Sequence, residues 1–183
     1  MTDLANKENL RLLMQGELPV DMALEMCRMP NKDEDRFKKY IEVLQEMVPW
    51  DDKILVRVSE HLFVVAKAGG QRVVKCDCGH EYGDYRTNWK LNALVYARKT
   101  QEQIAEVFTT QAPNAEYVEV REFYCPGCQA QLAVEVVPPG YPFVFEVLPD
   151  IDGLYQNEGR PLRDANANWL QDLTPQQTAK WVK

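Results

Sequence analysis

The stretch "VVKCDCGHEYGDYRTNWK", Val73–Lys90, places Cys76 and Cys78 on either side of a single aspartate and follows them with a Gly-His pair. Two thiols that close in the chain make a poor disulfide staple with each other, so their chemistry needs partners. Cys125 and Cys128 supply them, in a Cys-x-x-Cys turn that encloses Pro126-Gly127. Both pairs follow segments that read as strands. Two cysteine-bearing turns at hairpin ends converge on one tetrahedral ion in zinc ribbons. Four thiolates suit Zn²⁺, which is d¹⁰, tolerates tetrahedral geometry and accepts sulfur in structural sites. Turn N–H groups can donate to the sulfurs, and Gly79 and Gly127 let the backbone come close. The expected ligands are therefore Cys76, Cys78, Cys125 and Cys128. The expected ion is structural zinc, because four sulfurs leave no open position for catalysis. Two features depart from the common ribbon. The first pair is Cys-x-Cys, and about 46 residues separate the pairs. Unligated buried thiols and an iron–thiolate or redox site remain the competing readings.

The remaining candidates carry less. His80, two residues after Cys78, reads as a turn residue that orders the loop; the alternative makes it a ligand or a donor to one. His61 reads as the start of a strand, and Cys27 as a small buried apolar group on a helix face. The acids of "PDIDGLY" resemble part of a calcium loop, but the later oxygen ligands are missing, so a turn is expected. Tyr82, Tyr85, Trp89 and Tyr96, with Arg86 and Lys90 among them, could stack on bases or form a protein interface. The acidic balance favours the interface. No Walker loop, dinucleotide fingerprint or nucleophile elbow is present, and two histidines give His-dependent catalysis little to draw on. No catalytic residue is assigned.

The elements that must position the cysteines follow from periodicity. Asn6–Met14 reads as a helix ended by Gly16, and Asp21–Met29 as another closed by Pro30. "NKDEDRFKKYIEVLQEM" carries Phe37, Tyr40, Ile41, Leu44 and Val48 on one helical face. From Lys53 the period becomes two. "KILVRV", "HLFVVAK" and "QRVVKC" are strands, the last two joined at Gly69-Gly70. "NALVYARK", "EYVEVREFYC" and "AQLAVEVV" are further strands. Between the first two of these, "TQEQIAEVF" is a short helix with Thr100 and Gln103 placed as a capping box. After Pro138 the chain reads as irregular until Thr174-Pro175 opens a last short helix. The expected fold class is α+β. It comprises a helical N-terminal arm (1–50), a zinc-ribbon-like antiparallel β-domain (51–137) and an extended C-terminal tail (138–183).

Composition limits the function classes. Of 183 residues, 45% are hydrophobic and 27% charged, which permits a folded core. No apolar run approaches the roughly 18 residues of a membrane span, and the N-terminus lacks a signal-peptide core. A net charge of −7 argues against nonspecific nucleic-acid binding. Five cysteines, an odd number, favour metal ligation in a reducing compartment over disulfides. A cytoplasmic protein with no membrane or nucleic-acid partner is expected.

Four segments together, "PWDDKILV", "CDCGHEYGDYRTNWKL", "REFYCPGC" and "LPDIDGLYQ", resemble the small (gamma) subunit of acetone carboxylase, over about residues 7–158. Cys-x-Cys-Gly-His followed by Asn-Trp-Lys is the most specific part. The resemblance implies a zinc-carrying, non-catalytic component of a heterohexamer with two copies each of three subunits. It implies ligation by the same four cysteines. It places ATP and manganese in the larger alpha and beta subunits. The implied reaction of the whole complex joins a ketone to bicarbonate at the expense of ATP, without biotin. For acetone the product would be acetoacetate. The related acetophenone-type enzyme is the alternative within the family. A zinc-ribbon nucleic-acid module and an independent metalloenzyme are the alternatives outside it. The stretch from Gly159 onward is longer than the resemblance predicts.

Overall fold

The computed structural model describes residues 4–31, 33–108 and 110–181. Three helices open the chain: α1 (Lys7–Gln15), α2 (Val20–Arg28) and α3 (Arg36–Met47). The Asn6 side chain caps α1 by accepting from the Asn9 N–H. Gly16, at φ 74°, ends α1 in the left-handed conformation that glycine adopts without a Cβ penalty. Leu10, Leu18, Met26 and Val43 bury one shared face of the helices. Cys27, one residue past the buried Met26, is exposed, so the apolar stripe of α2 turns away from it.

Four antiparallel strands then form a meander, β1 (Lys53–Arg57), β2 (Leu62–Ala66), β3 (Arg72–Cys76) and β4 (Glu81–Asp84). Strand β2 is apolar on consecutive residues because both of its faces are covered. Phe63 and Val65 face Leu44, Tyr40 and Ile41 of α3. Leu62 and Val64 face the opposite core with Tyr82, Tyr85, Cys76 and Cys125. Each such side chain contributes about 1.5–3 kcal/mol of burial.

A second antiparallel sheet follows, β5 (Leu94–Arg98), β6 (Glu119–Tyr124) and β7 (Gln131–Val137), with β6 in the middle. The short helix α4 (Gln101–Ala105) sits between β5 and β6 in the chain, and Thr100 and Gln103 close the expected capping box. One face of this sheet packs Phe123 against Trp89 and Phe143. Lys90 is buried beside it, ion-paired to Glu135 and Glu146. On the other face Leu94, Tyr96, Val134 and Val136 are exposed.

The C-terminal segment runs back over the first sheet. "PDIDGLY" begins a helix, α5 (Ile151–Asn157), rather than making only a turn, with the Asp150 carboxylate accepting from the Gly153 N–H at 2.8 Å. Ile151 and Tyr155 enter the main core, and the Tyr155 hydroxyl donates to the Leu55 carbonyl. Arg72 on β3 is fully buried. It donates to Asp152 at 2.6 Å and Asp164 at 3.2 Å and stacks over Trp169. The final helix α6 (Thr174–Thr178) is tied to the body by the Asn88 N–H, which donates to the Thr174 hydroxyl.

The aromatic group expected at an interface is mostly core. Tyr82 and Tyr85 are buried, Trp89 is half-buried, and only Tyr96 stands open. Its basic members are committed inside the chain, Arg86 to Asp84 and Lys90 to the two glutamates. Among the described residues no helix is long and apolar enough to cross a membrane.

Candidate metal centre

The two cysteine turns come from different sheets. Cys76 ends β3 and Cys78 lies in the turn to β4, while Cys125 and Cys128 occupy the turn between β6 and β7. Both turns use the same hydrogen-bond plan. In the first, the Cys76 N–H donates to the His80 carbonyl and the Gly79 N–H returns to the Cys76 carbonyl. In the second, the Cys125 N–H donates to Ala130 and the Gln129 N–H returns to Cys125. Each return bond comes from a residue of positive φ, Gly79 at 99° and Gln129 at 63°. The first turn is thus the second shortened by one residue, which accounts for Cys-x-Cys where ribbons have Cys-x₂-Cys.

The four sulfurs lie within 4.8 Å of one another. Cys76 and Cys128 are 3.9 Å apart, and Cys78 and Cys125 3.7 Å. A tetrahedral ion with metal–sulfur bonds of about 2.3 Å requires sulfur separations of about 3.8 Å. The arrangement therefore fits a four-thiolate ion without rebuilding. In each pair the first cysteine is buried and the second exposed. Gly127 brings the turns together. A Cβ there would meet the His80 Cβ at 3.0 Å and the Cys78 sulfur at 3.2 Å.

The electrostatics suit the same purpose. Burial pushes the Cys76 thiol well up, with the Cys78 N–H working against it. Burial also raises Cys78. At Cys125 burial is outweighed by the Tyr82 hydroxyl and the N–H groups of Cys128 and Gly127, which bring the thiol down to about 7. The buried Tyr82 hydroxyl has no hydrogen-bond partner of ordinary geometry among the described residues, and burial together with the nearby Cys125 sulfur pushes its own pKa up. A bound dication would supply the charge needed to ionise Cys76 and Cys78, since a coordinating thiol is deprotonated outright.

Asp77, between the first two cysteines, anchors the turn. Its N–H donates to the His61 carbonyl, its carbonyl accepts from the Trp50 indole at 2.9 Å, and its carboxylate meets His61 Nδ1 at 2.6 Å. His61 is therefore more than the residue before β2, and sequence reading missed the link. The only signal was a histidine 16 positions from an acid, which becomes meaningful once β2 and β3 pair. His80 lies outside the sulfur cluster, with its ring edge-on to Tyr82 at 5.0 Å.

The fold and site define a small α+β protein whose two antiparallel sheets meet at a four-cysteine centre able to hold a metal ion. Residues 48–158 match the family model described as "Acetone carboxylase gamma subunit". The chain is 39% identical over 146 residues to the acetone carboxylase gamma subunit of Xanthobacter autotrophicus (strain ATCC BAA-1158 / Py2), covering 79% of this chain and 86% of that protein. It is also 37% identical over 81 residues to the acetophenone carboxylase beta subunit of Aromatoleum aromaticum (strain DSM 19018 / LMG 30748 / EbN1), covering 43% of this chain and 63% of that one. The chain belongs to the acetone carboxylase gamma subunit family.

Proposed function

We propose that this chain is the non-catalytic, zinc-binding small subunit of an ATP-dependent acetone carboxylase complex. Cys76, Cys78, Cys125 and Cys128 hold the ion, which pins two hairpins and supplies cross-linking rather than reaction chemistry. The observation that carries this role is the closed cluster, with four sulfurs around one point. The residues around it act on the turns. Asp77, His61 and Trp50 fix the first, and Gly127 permits the approach of the second.

The larger alpha and beta subunits hold ATP and manganese and carry out the carboxylation of acetone by bicarbonate to acetoacetate, in a heterohexamer with two copies of each subunit. Two relatives named as carboxylase subunits support placement in such a complex. The docking surface is the open face of the second sheet. Contiguous exposed apolar side chains of this kind mark interaction sites, and Leu94, Tyr96, Val134 and Val136 provide them. The second reading, a subunit of an acetophenone-type carboxylase, is favoured by the similarity to the Aromatoleum protein.

The test is native purification of the tagged full chain with its neighbours, followed by native mass, metal analysis and ATPase assay. One zinc per copy, a large assembly and ketone-stimulated ATP hydrolysis only in that assembly are expected. Ketone-stimulated hydrolysis by the chain alone refutes the non-catalytic role. Acetophenone stimulating where acetone does not selects the second reading. Val134→Asp is expected to leave zinc content intact and release the partners; full retention removes the docking assignment.

A further inference from the structure

A cleft of about 610 Å³ lies where α3, the first sheet and the segment after α5 meet. Its size is that of a small-molecule site. Phe37 and Ile41 of α3, Leu55 and Ala66 of the sheet, and Tyr155 give it an apolar wall. Lys53, Arg160 and Arg163 also line it, in a protein of net charge −7.

The charges around this cleft are unevenly satisfied. Its two carboxylates are engaged, Glu42 with Lys7 and Lys38, and Asp164 with Arg72. Among the described residues, Lys53, Arg160 and Arg163 make no ion pair or side-chain hydrogen bond. Lys53 acts on Asp164 only through space, and Arg160 likewise on Tyr155. Elsewhere the chain pairs its cations closely, as Arg72, Arg86, Lys90 and Arg98 show. Three uncommitted cations beside an apolar wall form a complementary surface for an oxyanion attached to a flat or aliphatic body. Arginine forks match carboxylate and phosphate equally.

We propose that the cleft between α3, the first sheet and residues 160–164 binds a small organic anion, with an oxyanion head on Lys53, Arg160 and Arg163 and an apolar body against Phe37 and Ile41. The family match, residues 48–158, takes in Lys53, Leu55, Ala66 and Tyr155 of this cleft but neither arginine. It is separate from the cysteine centre, whose residues do not line the cleft.

The experiment is calorimetric titration of the full zinc-loaded chain, with any co-purifying subunits, at low salt. Phenyl phosphate and benzoate are the probes. Inorganic phosphate tests the head alone and phenol the body alone. One saturable site per chain is expected. At least one probe should bind about tenfold or more tighter than either control, as expected when charged hydrogen bonds and apolar burial add. The tighter probe identifies the head. Arg160→Ala/Arg163→Ala, two exposed positions outside regular structure, should weaken it about tenfold or more at unchanged circular dichroism. Lys180→Ala, at a residue that does not line the cleft, should not. Equal binding of inorganic phosphate and phenyl phosphate, an unaffected double variant, or no binding by either probe overturns the proposal. None of these readouts depends on carboxylase activity.

Discussion

Gly127→Ala adds one methyl group at the tightest point between the two cysteine turns. The new Cβ would stand 3.0 Å from the His80 Cβ and 3.2 Å from the Cys78 sulfur. The first neighbour is fixed to its own backbone. The second is fixed by the ion it is proposed to hold. Overpacking of this kind costs about 1–3 kcal/mol. If the cost falls on the closed arrangement, zinc affinity drops about 5- to 150-fold, at 1.4 kcal/mol per factor of ten. Competition with a chromophoric zinc chelator measures the change directly, with circular dichroism following the fold. Gly69→Ala is the control, since nothing lies within 4 Å of its added Cβ. It should leave the affinity unchanged. If Gly127→Ala binds zinc as tightly as the control, the approach of the turns does not limit the site and the packing argument is wrong.

Cys125→Ser is expected to lose zinc and cooperative folding together, because metal-binding energy in such sites is folding energy; metal content and a thermal melt check it, and a folded, zinc-loaded variant would remove Cys125 from the ligand set. Arg72→Met strands Asp152 beside the core and should cost about 2–4 kcal/mol, partial exposure of both carboxylates keeping it near the low end of a broken buried pair. Urea titration gives the energy, and faster proteolysis after residue 158 reports release of the C-terminal segment. Hydrogen bonds from Lys67 and Lys75 hold the Asp52 carboxyl below its usual 3.8, against a lesser effect of burial. A depressed carboxylate pKa stabilises the fold above the unfolded value and loses that contribution as pH falls through the folded value. Stability should therefore decline on acidification below about pH 4, and Asp52→Asn should flatten that part of the curve.

The strands β1–β3 and β5–β7 were legible because β-branched residues and turn glycines announce them locally. So was the short helix α4, whose capping residues lie three apart. The convergence of the cysteines was legible in outline from two strand-then-turn segments. What escaped depended on partners far along the chain. Strand β4 is four residues long with Gly83 inside it at φ 89°, and it exists because β3 offers it an edge. Helix α5 contains a glycine and follows a proline-rich run. Its stability comes from placing Ile151 and Tyr155 in the main core. Tyr82, Tyr85 and Trp89 looked like a surface because polar residues interrupt them, yet two sheets and a C-terminal segment close around them. Cys27 shows the opposite error, since an apolar neighbourhood in sequence did not bury it.

The division of the cysteine centre between two sheets has a consequence for the order of synthesis. Cys78 and Cys125 stand 47 positions apart. At about 5–20 residues per second, the first turn leaves the ribosome roughly 2–10 s before the second can meet it. During that interval Cys76 and Cys78 are two thiols with half a site. The meander of β1–β4 can pair strand to strand in that time, but it cannot close the centre. Capture of the proposed ion by all four sulfurs would thereby come late, once the second turn has formed. An ion held by all four cysteines would then record that both turns had been made, while the C-terminal segment that carries Ile151 and Tyr155 was still to come.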